Sequence, residues 1–303
     1  MGSARLAVSS TIAQLAREAS IEIGVHDLEQ VEAGRAFLSA GTKVYVSFVP
    51  RQTWRETEVA CRVLRRAGFD AVPHVPVRLL PDARELNRFL DNLVRDAQVR
   101  EILLIAGDHS RVAGPYSRVA DVLRGGLLEA HGLRRVSLAG HPEGHPSVPL
   151  EEIRRAEREK AAMAAERGLE ATFVTQFFFE PAPFLNWVAD LRAHGAHTRA
   201  VAGLAGPARI ATLFKFAMRC GVGPSIRALG ARPASLAALT GERGPQDVVR
   251  ALAEARGAGT SDFNGLHFYC FGGFARTCEW LHQVASGRFT LDDRGGFELA
   301  PRS

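Results

Sequence analysis

Short apolar segments alternate along the chain with longer segments in which apolar residues recur every three or four positions. The short segments are rich in Val, Ile, Leu and Phe, which is typical of strands buried on both faces of a parallel sheet. The longer ones carry Arg, Glu and Ala on one face, as amphipathic helices do. The strands are predicted at 20–25, 42–48, 70–75, 101–106, 134–140, 171–179, 198–203 and 265–270.

The helical segments fall between these strands, at 53–67, 83–97, 116–131, 150–167, 182–194 and 207–220. Four of them end near a glycine that can close the last turn in the left-handed conformation: Gly68, Gly132, Gly168 and Gly195. Strands alternating with helices in this way predict an α/β fold, a (β/α)8 TIM barrel.

One barrel domain accounts for the whole of residues 1–303, because α/β barrels of this length are common as single domains. Residues 1–19 form an N-terminal helical segment in this interpretation. Residues 221–262 are longer than a simple connection and are predicted to be a helical insertion before the last strand, with helices around 231–240 and 245–257.

Composition and charge exclude several classes of protein. The chain is 46% hydrophobic and 23% charged, as ordinary globular enzymes are. Its net charge of +5 comes from scattered arginines rather than from a basic block, so nucleic acid is not predicted as a partner. No apolar run is long enough to span a bilayer, so a membrane is not predicted either. Without a signal peptide or paired cysteine motif, a cytoplasmic location with free thiols is expected. Homo-oligomerisation stays open.

Polar residues cluster where the predicted strands end. In a TIM barrel the carboxyl ends of the strands form the active-site face, so these side chains are expected to converge there. Any one of them could instead cap a helix or bind a loop. The set comprises Glu22, Ser47, His74, Asp108, His141, Glu143, His145, Gln176, His267 and Tyr269.

The segment HPEGHP at 141–146 holds two histidines and a glutamate, so a metal site has to be considered. The zinc motif with this spacing requires a helix, which the prolines and Gly144 forbid. A loop of this composition suits a flat cofactor better than a metal ion, and no metal is predicted. The chain also lacks the glycine-rich signatures of Rossmann and P-loop nucleotide sites.

Three segments together resemble the methylenetetrahydrofolate reductase family of flavoenzymes, which interconvert the methylene and methyl forms of tetrahydrofolate in one-carbon metabolism. They are HPEGHP at 141–146, VTQFFF at 174–179 and GLHFY at 265–269. IEIG at 21–24 and AGD at 106–108 match two further family motifs. The resemblance runs with interruptions from about residue 20 to residue 285 and implies an FAD-dependent oxidoreductase that binds folate.

The resemblance also implies roles for individual residues. Glu22 matches the general acid of folate ring opening, and burial is expected to raise its pKa so that it holds a proton at neutral pH. The resemblance implies that Asp108 is also catalytic and would lie beside the flavin and the pterin. It further implies that Gln176, Phe216 and Tyr269 bind the pterin. The flavin contacts implied in addition to Asp108 are Ser47, His74, Tyr116, His141, Glu143, His145 and Lys160.

Other positions depart from the family. Thr212 replaces a glutamine in the region that contacts the nicotinamide, and AGD lacks the arginine of the family's R-G-D. Folate and flavin binding are therefore predicted to persist, whereas NAD(P)H use stays open, and the oxidative direction fits this combination. Two alternatives remain: a folate-binding barrel of another class, such as a methyl transferase or flavin-free reductase, and a non-catalytic binding subunit.

Overall fold

The computed structural model describes residues 2–107, 111–220 and 241–301. Its centre is a closed barrel of parallel strands. These strands are β1 (Ser20–Ile23), β2 (Lys43–Val46), β3 (Asp70–Pro76), β4 (Glu101–Ile105), β5 (Arg135–Gly140), β6 (Glu170–Phe178), β7 (Arg199–Ala205) and β10 (Gly265–Tyr269). They neighbour one another in the order β1-β10-β7-β6-β5-β4-β3-β2. Each coincides with a predicted strand, and the (β/α)8 fold class is confirmed.

Helices surround the barrel and follow the amphipathic segments of the sequence. They are α1 (Gly2–Arg17), α2 (Val31–Arg35), α3 (Trp54–Arg66), α4 (Ala83–Ala97), α5 (Val119–Arg124), α6 (Leu127–Ala130), α7 (Leu150–Glu166), α8 (Pro181–Ala193), α9 (Ile210–Cys220), α10 (Gln246–Gly257) and α11 (Phe274–Ala285). Thr53 and Glu56 form a capping box at the start of α3, and Asp82 caps α4 through the backbone N–H of Glu85.

Two predicted helices have different bounds in the structure. The helix expected at 116–131 is broken into α5 and α6, because Gly126 takes a left-handed φ of 70° between them. The helix expected at 207–220 begins at Ile210, since the two residues of β8 (Ala208–Arg209) pair with β9 (Glu242–Arg243) instead. The helix predicted around 231–240 lies outside the described residues.

The amino-terminal helix and the carboxyl-terminal residues pack on the same side of the barrel. Helix α1 packs against α10 and α11. After α11, an antiparallel pair forms between β11 (Phe289–Leu291) and β12 (Phe297–Leu299), which the sequence interpretation did not include. Its buried Phe297 approaches Trp280 of α11, with 6.1 Å between the ring centroids. No helix within the described residues is long and apolar enough to cross a membrane.

The interior of the barrel holds a hydrogen-bonded polar layer towards the amino ends of the strands. The Tyr45 hydroxyl and Ser137 Oγ lie 2.8 Å apart, and Ser137 Oγ donates to Glu101 Oε1 over 2.7 Å. Lys43 pairs with the other oxygen of Glu101, at 2.7 Å. This layer fills the barrel below the carboxyl ends of the strands, so the barrel is closed at its base and a ligand site is expected at the opposite end.

Candidate active site

Glu22, His74 and His267 meet inside the barrel. Glu22 Oε2 lies 3.2 Å from His74 Nε2 and 3.7 Å from His267 Nε2. The strand order explains the meeting: β1 carries Glu22 and neighbours β10, which carries His267, while β3 with His74 lies one strand beyond β2. The sequence predicted each residue at a strand end, and the structure shows that they form one cluster.

Two further residues hold His267 in place. Its Nδ1 is 2.9 Å from Ser20 Oγ, on the side of the ring away from Glu22. The ring of Tyr45 packs edge-on against His267, with 4.6 Å between centroids, and against His74 at 6.2 Å. Since His267 is almost fully buried, these contacts restrict its ring to one orientation facing Glu22.

The ionisation of Glu22 differs from the sequence-based expectation. Burial raises the pKa of this carboxyl, but the charge of His74 and the contacts with His267 and His74 together outweigh burial and lower the pKa from 4.5 to about 2. Burial lowers the pKa of His267, and its contact with Glu22 opposes this. The expectation of a protonated Glu22 at neutral pH is therefore wrong, because two imidazoles share its pocket.

Several buried polar atoms of this face lack a hydrogen bond to the residues that the structure describes. They include Glu22 Oε2, His74 Nε2 and Gln176 Oε1. The 3.2 Å contact between Glu22 and His74 is close but not aligned as a hydrogen bond. Leaving a buried polar atom unpartnered costs about 1–3 kcal/mol, so these atoms fit a bound ligand that carries complementary donors and acceptors.

A local irregularity in β6 accompanies Gln176. The register between β6 and β7 shifts between Val174 and Phe177, which brackets Gln176. The backbone there is held from two sides: the Tyr269 hydroxyl donates to Thr175 O over 2.8 Å, and Gly203 N–H donates to Thr175 Oγ1 over 2.9 Å. Bulges of this kind re-aim side chains, which accounts for a polar amide within an apolar run.

Aromatic rings form a stacked group beside this part of the barrel. Phe216 of α9 lies parallel to Phe271, with centroids 4.1 Å apart and 14° between the planes. Tyr269 lies parallel to the same ring at 5.7 Å and 11°. Phe177 meets Phe271 edge-on at 4.9 Å. The two aromatic residues predicted to contact substrate, Phe216 and Tyr269, are thus brought together through Phe271, which the prediction omitted.

The segment 141–146 is fastened to the helices behind it by Glu157, a residue that the sequence interpretation missed. His141 N–H donates to Glu157 Oε1 over 2.8 Å, and Trp187 Nε1 donates to Oε2 over 3.0 Å. Arg154 donates to Glu157 Oε2 over 2.9 Å, to His141 O over 3.1 Å and to Pro142 O over 3.2 Å. The helical spacing of Arg154 and Glu157 was visible in the sequence, but their contact with the loop was not.

The remaining residues predicted to contact the flavin lie in different parts of the structure. His145 lies beside His141, with 6.2 Å between ring centroids, and Glu143 is in the turn between them. Ser47 Oγ donates to Ile23 O over 3.2 Å. Tyr116 is largely buried, and burial raises the pKa of its hydroxyl, with a further contribution from Asp82.

Lys160 lies beside β5, in the wall of the barrel near His141. Its ammonium donates to Ala139 O of β5 over 2.8 Å and lies 5.6 Å from the centroid of the Phe173 ring. Burial lowers the pKa of Lys160 to about 8, which Glu157 partly opposes. In this position the side chain links α7 to the carboxyl end of β5.

Asp108 lies outside the described residues, but the loop around it is held by Arg78. The backbone N–H of Arg78 donates to Ala106 O over 3.3 Å, and its guanidinium donates to Gly107 O over 3.3 Å and to Ser117 O over 3.1 Å. The Arg78 side chain thereby links Gly107, which follows β4, to Ser117. No group of acidic, His or Cys residues suited to a metal ion occurs in the part of the chain that the structure describes.

Comparison with known proteins adds little to this description. No protein-family model matches the chain. Among solved structures, a dihydropteroate synthase from Thermus thermophilus is similar with a TM-score of 0.49 and 10% sequence identity, over 89% of this chain and 94% of that chain. A similarity at this level carries no argument about activity. The class of the fold rests on the closed order of parallel strands described above.

Proposed function

We propose that the protein is a folate-dependent oxidoreductase that interconverts 5,10-methylenetetrahydrofolate and 5-methyltetrahydrofolate, with FAD as its cofactor. The observation that carries the proposal is the pair of buried acceptor oxygens that lack an aligned hydrogen bond to the described residues, Glu22 Oε2 and Gln176 Oε1, at the end of one barrel. A pterin presents ring N–H and amino donors along one edge, which such acceptors satisfy. The sequence motifs around both residues support the same ligand.

Glu22 is assigned the proton-transfer role. Glu22 is ionised at neutral pH because its pKa is lowered to about 2, so it can act as a proton acceptor, and the low pKa makes it a weak base. In the oxidation of the methyl form, closing the five-membered ring joins N10 to the one-carbon unit and releases the proton of N10. Glu22 would take that proton, which a weak base can do because N10 bears a positive charge when the ring closes, and the neighbouring imidazoles of His74 and His267 keep the carboxylate ionised beforehand.

The flavin part of the proposal rests on the loop at 141–146. A bound FAD supplies a two-electron acceptor for hydride. His141, His145 and Tyr116 would hold it, because the first two face each other at the carboxyl end of β5 and the third lies in the adjacent loop. Glu157 and Arg154 would position His141 through the hydrogen bonds to its backbone.

A second candidate function is a reductase of the same folates without flavin. Lys160, which resembles a phosphate-contacting lysine, donates instead to Ala139 O, and Ser47 donates to Ile23 O. Two of the expected flavin contacts are thus already engaged within the protein. In this candidate the pterin site is unchanged, and hydride passes directly between folate and a nicotinamide.

Reconstitution separates the two candidates. Purified protein is incubated with FAD and desalted, and its visible absorbance is recorded before and after anaerobic addition of methyltetrahydrofolate. Retained flavin absorbance that bleaches with the folate supports the flavoenzyme. Folate turnover with NADPH or NADH in protein that retains no flavin supports the flavin-free reductase. Protein that neither binds nor converts folate contradicts both.

The role of Gln176 is tested by folate affinity. Gln176→Leu is expected to weaken methyltetrahydrofolate binding by about tenfold or more, since an amide hydrogen bond to a buried ligand contributes about 1–3 kcal/mol. Gln14→Leu, a change at an exposed position on α1, is the matched control. Equal folate affinity of the two variants in calorimetric titration would show that Gln176 does not contact the folate.

A further inference from the structure

His141 has two ring nitrogens in different surroundings. Its side chain is 24% exposed, and Nδ1 is fully buried, 3.6 Å from Glu157 Oε1 and without a hydrogen bond to any residue that the structure describes. Nε2 also makes no hydrogen bond within the described residues, and it is not among the fully buried atoms. One nitrogen lies beside a carboxylate, and the other is accessible.

Glu157 carries a negative charge at neutral pH and lies on the buried side of His141. Burial raises the pKa of this carboxyl, but the contacts with His141 and Trp187 and the charge of Arg154 outweigh burial and lower it to about 2. Oε1 accepts from His141 N–H, while Oε2 accepts from Arg154 and Trp187. The carboxylate is therefore fixed in place, with Oε1 on the side of the imidazole.

The charged groups around the ring determine its proton count. From α7, Glu157 favours a proton on the ring, and Lys160 disfavours a second one; from the loop itself, His145 adds a further repulsion. Burial is the largest influence and lowers the pKa of His141 below its usual value. Arg154 adds positive charge nearby through its bond to the backbone carbonyl of His141. At neutral pH these influences leave the ring with a single proton.

We propose that Glu157 fixes neutral His141 with its proton on Nδ1, so that Nε2 presents a hydrogen-bond acceptor at the barrel mouth to a hydroxyl or N–H donor of the ligand. The reason is electrostatic: a proton on Nδ1 faces the carboxylate, whereas a lone pair there would face it and be repelled. That the ligand occupies the mouth rests on the proposed function. The state of the ring does not, since Glu157 acts on it in the free protein.

The tautomer is measured directly on the free protein. Protein labelled with ¹⁵N-histidine gives long-range ¹H–¹⁵N correlations whose nitrogen shifts distinguish protonated from unprotonated ring nitrogens. The His141 signals are identified by their loss in His141→Phe. The expected result at neutral pH is a protonated Nδ1 and an unprotonated Nε2. Protonation at Nε2 in the wild-type protein would overturn the proposal whether or not any variant folds.

The cause is tested with paired carboxylate variants. Glu157→Gln is expected to move the His141 signals toward a mixture of the two tautomers, because the amide can face Nδ1 with either its oxygen or its nitrogen. Glu152→Gln, at an exposed position on the same helix, should leave them unchanged. If Glu157→Gln does not fold, Trp187→Phe removes one donor from Glu157 and is expected to produce a smaller change in the same direction. Unchanged signals in a folded variant would contradict the assignment to Glu157.

Ligand polarity is tested with FAD and methyltetrahydrofolate as separate probes. His141→Gln keeps an acceptor and is expected to bind the relevant probe within about threefold of the wild-type protein, whereas His141→Leu should lose on the order of tenfold, the cost of an unpaired ligand donor. Equal binding by both variants would contradict an acceptor role for Nε2. If the wild-type protein bound neither probe but showed the expected tautomer, the proposed function would be contradicted. The assignment of the His141 proton to Nδ1 would still be supported.

Discussion

Glu157 is predicted to make the protein sensitive to acid, and the size of the effect follows from its surroundings. Its pKa falls from 4.5 to about 2 on folding, because its contacts with His141, Trp187 and Arg154 outweigh the cost of burial. Such a difference corresponds to about 3 kcal/mol of folding free energy, from about 1.4 kcal/mol for each factor of ten in acidity. Glu157 is nearly fully buried, so solvent screening removes little of this.

The sign of the pH dependence follows from the lowered pKa. A carboxyl that is more acidic in the folded state contributes its stability fully above pH 4.5, and the contribution is lost as the pH falls toward about 2. Glu157→Gln removes this titration. At pH 7 the variant is expected to be less stable by about 3 kcal/mol, the usual cost of removing one partner from a buried ion pair, here leaving Arg154 without its carboxylate.

Urea denaturation followed by circular dichroism, at a series of values from pH 7 to pH 3, measures the prediction. The difference in free energy of unfolding between wild-type protein and Glu157→Gln should shrink as the pH falls below 4.5. Glu22, whose pKa is also lowered to about 2, titrates in both proteins and cancels in the difference. Glu152→Gln should show a constant difference. A constant difference for Glu157→Gln as well would refute the reasoning.

Three further predictions concern catalysis and packing. Glu22→Gln should lower the rate of flavin reduction by methyltetrahydrofolate by about 10²-fold or more, and it should leave the rate of flavin reduction by a non-folate donor unchanged. Anaerobic stopped-flow measures both rates. An unchanged rate with the folate would show that Glu22 does not transfer the proton. Because Thr212 departs from the nicotinamide-contacting pattern, methyltetrahydrofolate should bleach bound flavin faster than NADH or NADPH does, and equal bleaching would contradict this. Gly203→Ala should destabilise the protein by about 1–3 kcal/mol in urea denaturation, since the added Cβ would clash with the backbone oxygen of Thr175. An unchanged denaturation midpoint would show that the backbone of β6 shifts at its bulge to accommodate the methyl group.

The barrel strands were predictable because their apolar runs are short and bounded by glycine or charged residues. The left-handed glycines at the predicted helix ends are confirmed, with φ of 88° at Gly68 and 66° at Gly168. The break between α5 and α6 was missed, although the Gly125–Gly126 pair marks it, because the apolar period continues across the pair. The hairpin of β11 and β12 was also missed, since each strand has three residues and gives a weak periodic signal.

The site was predictable to the level of strand ends and no further. Placing Glu22, His74 and His267 at carboxyl ends required only the alternation of apolar and polar residues. These three residues form one cluster only because the barrel closes and makes the first and last strands neighbours. The sequence gives no direct signal for the distance between Glu22 on the first strand and His267 on the last. The hydrogen bond from Lys160 to Ala139 O is a further contact that the sequence does not reveal, because it depends on how α7 packs on β5.

The electrostatics of Glu22 connect the fold to the proposed proton transfer. A carboxyl buried alone would hold its proton at neutral pH and serve as an acid in opening the folate ring. Here, closure of the barrel brings two imidazoles to the same carboxylate, and Ser20 and Tyr45 restrict one of them. The result is a carboxylate that is ionised at neutral pH. In the proposed reaction such a group accepts the proton of N10 in the oxidative direction and returns it in the reductive direction, so the histidines set the protonation state of Glu22 and not the direction of the reaction.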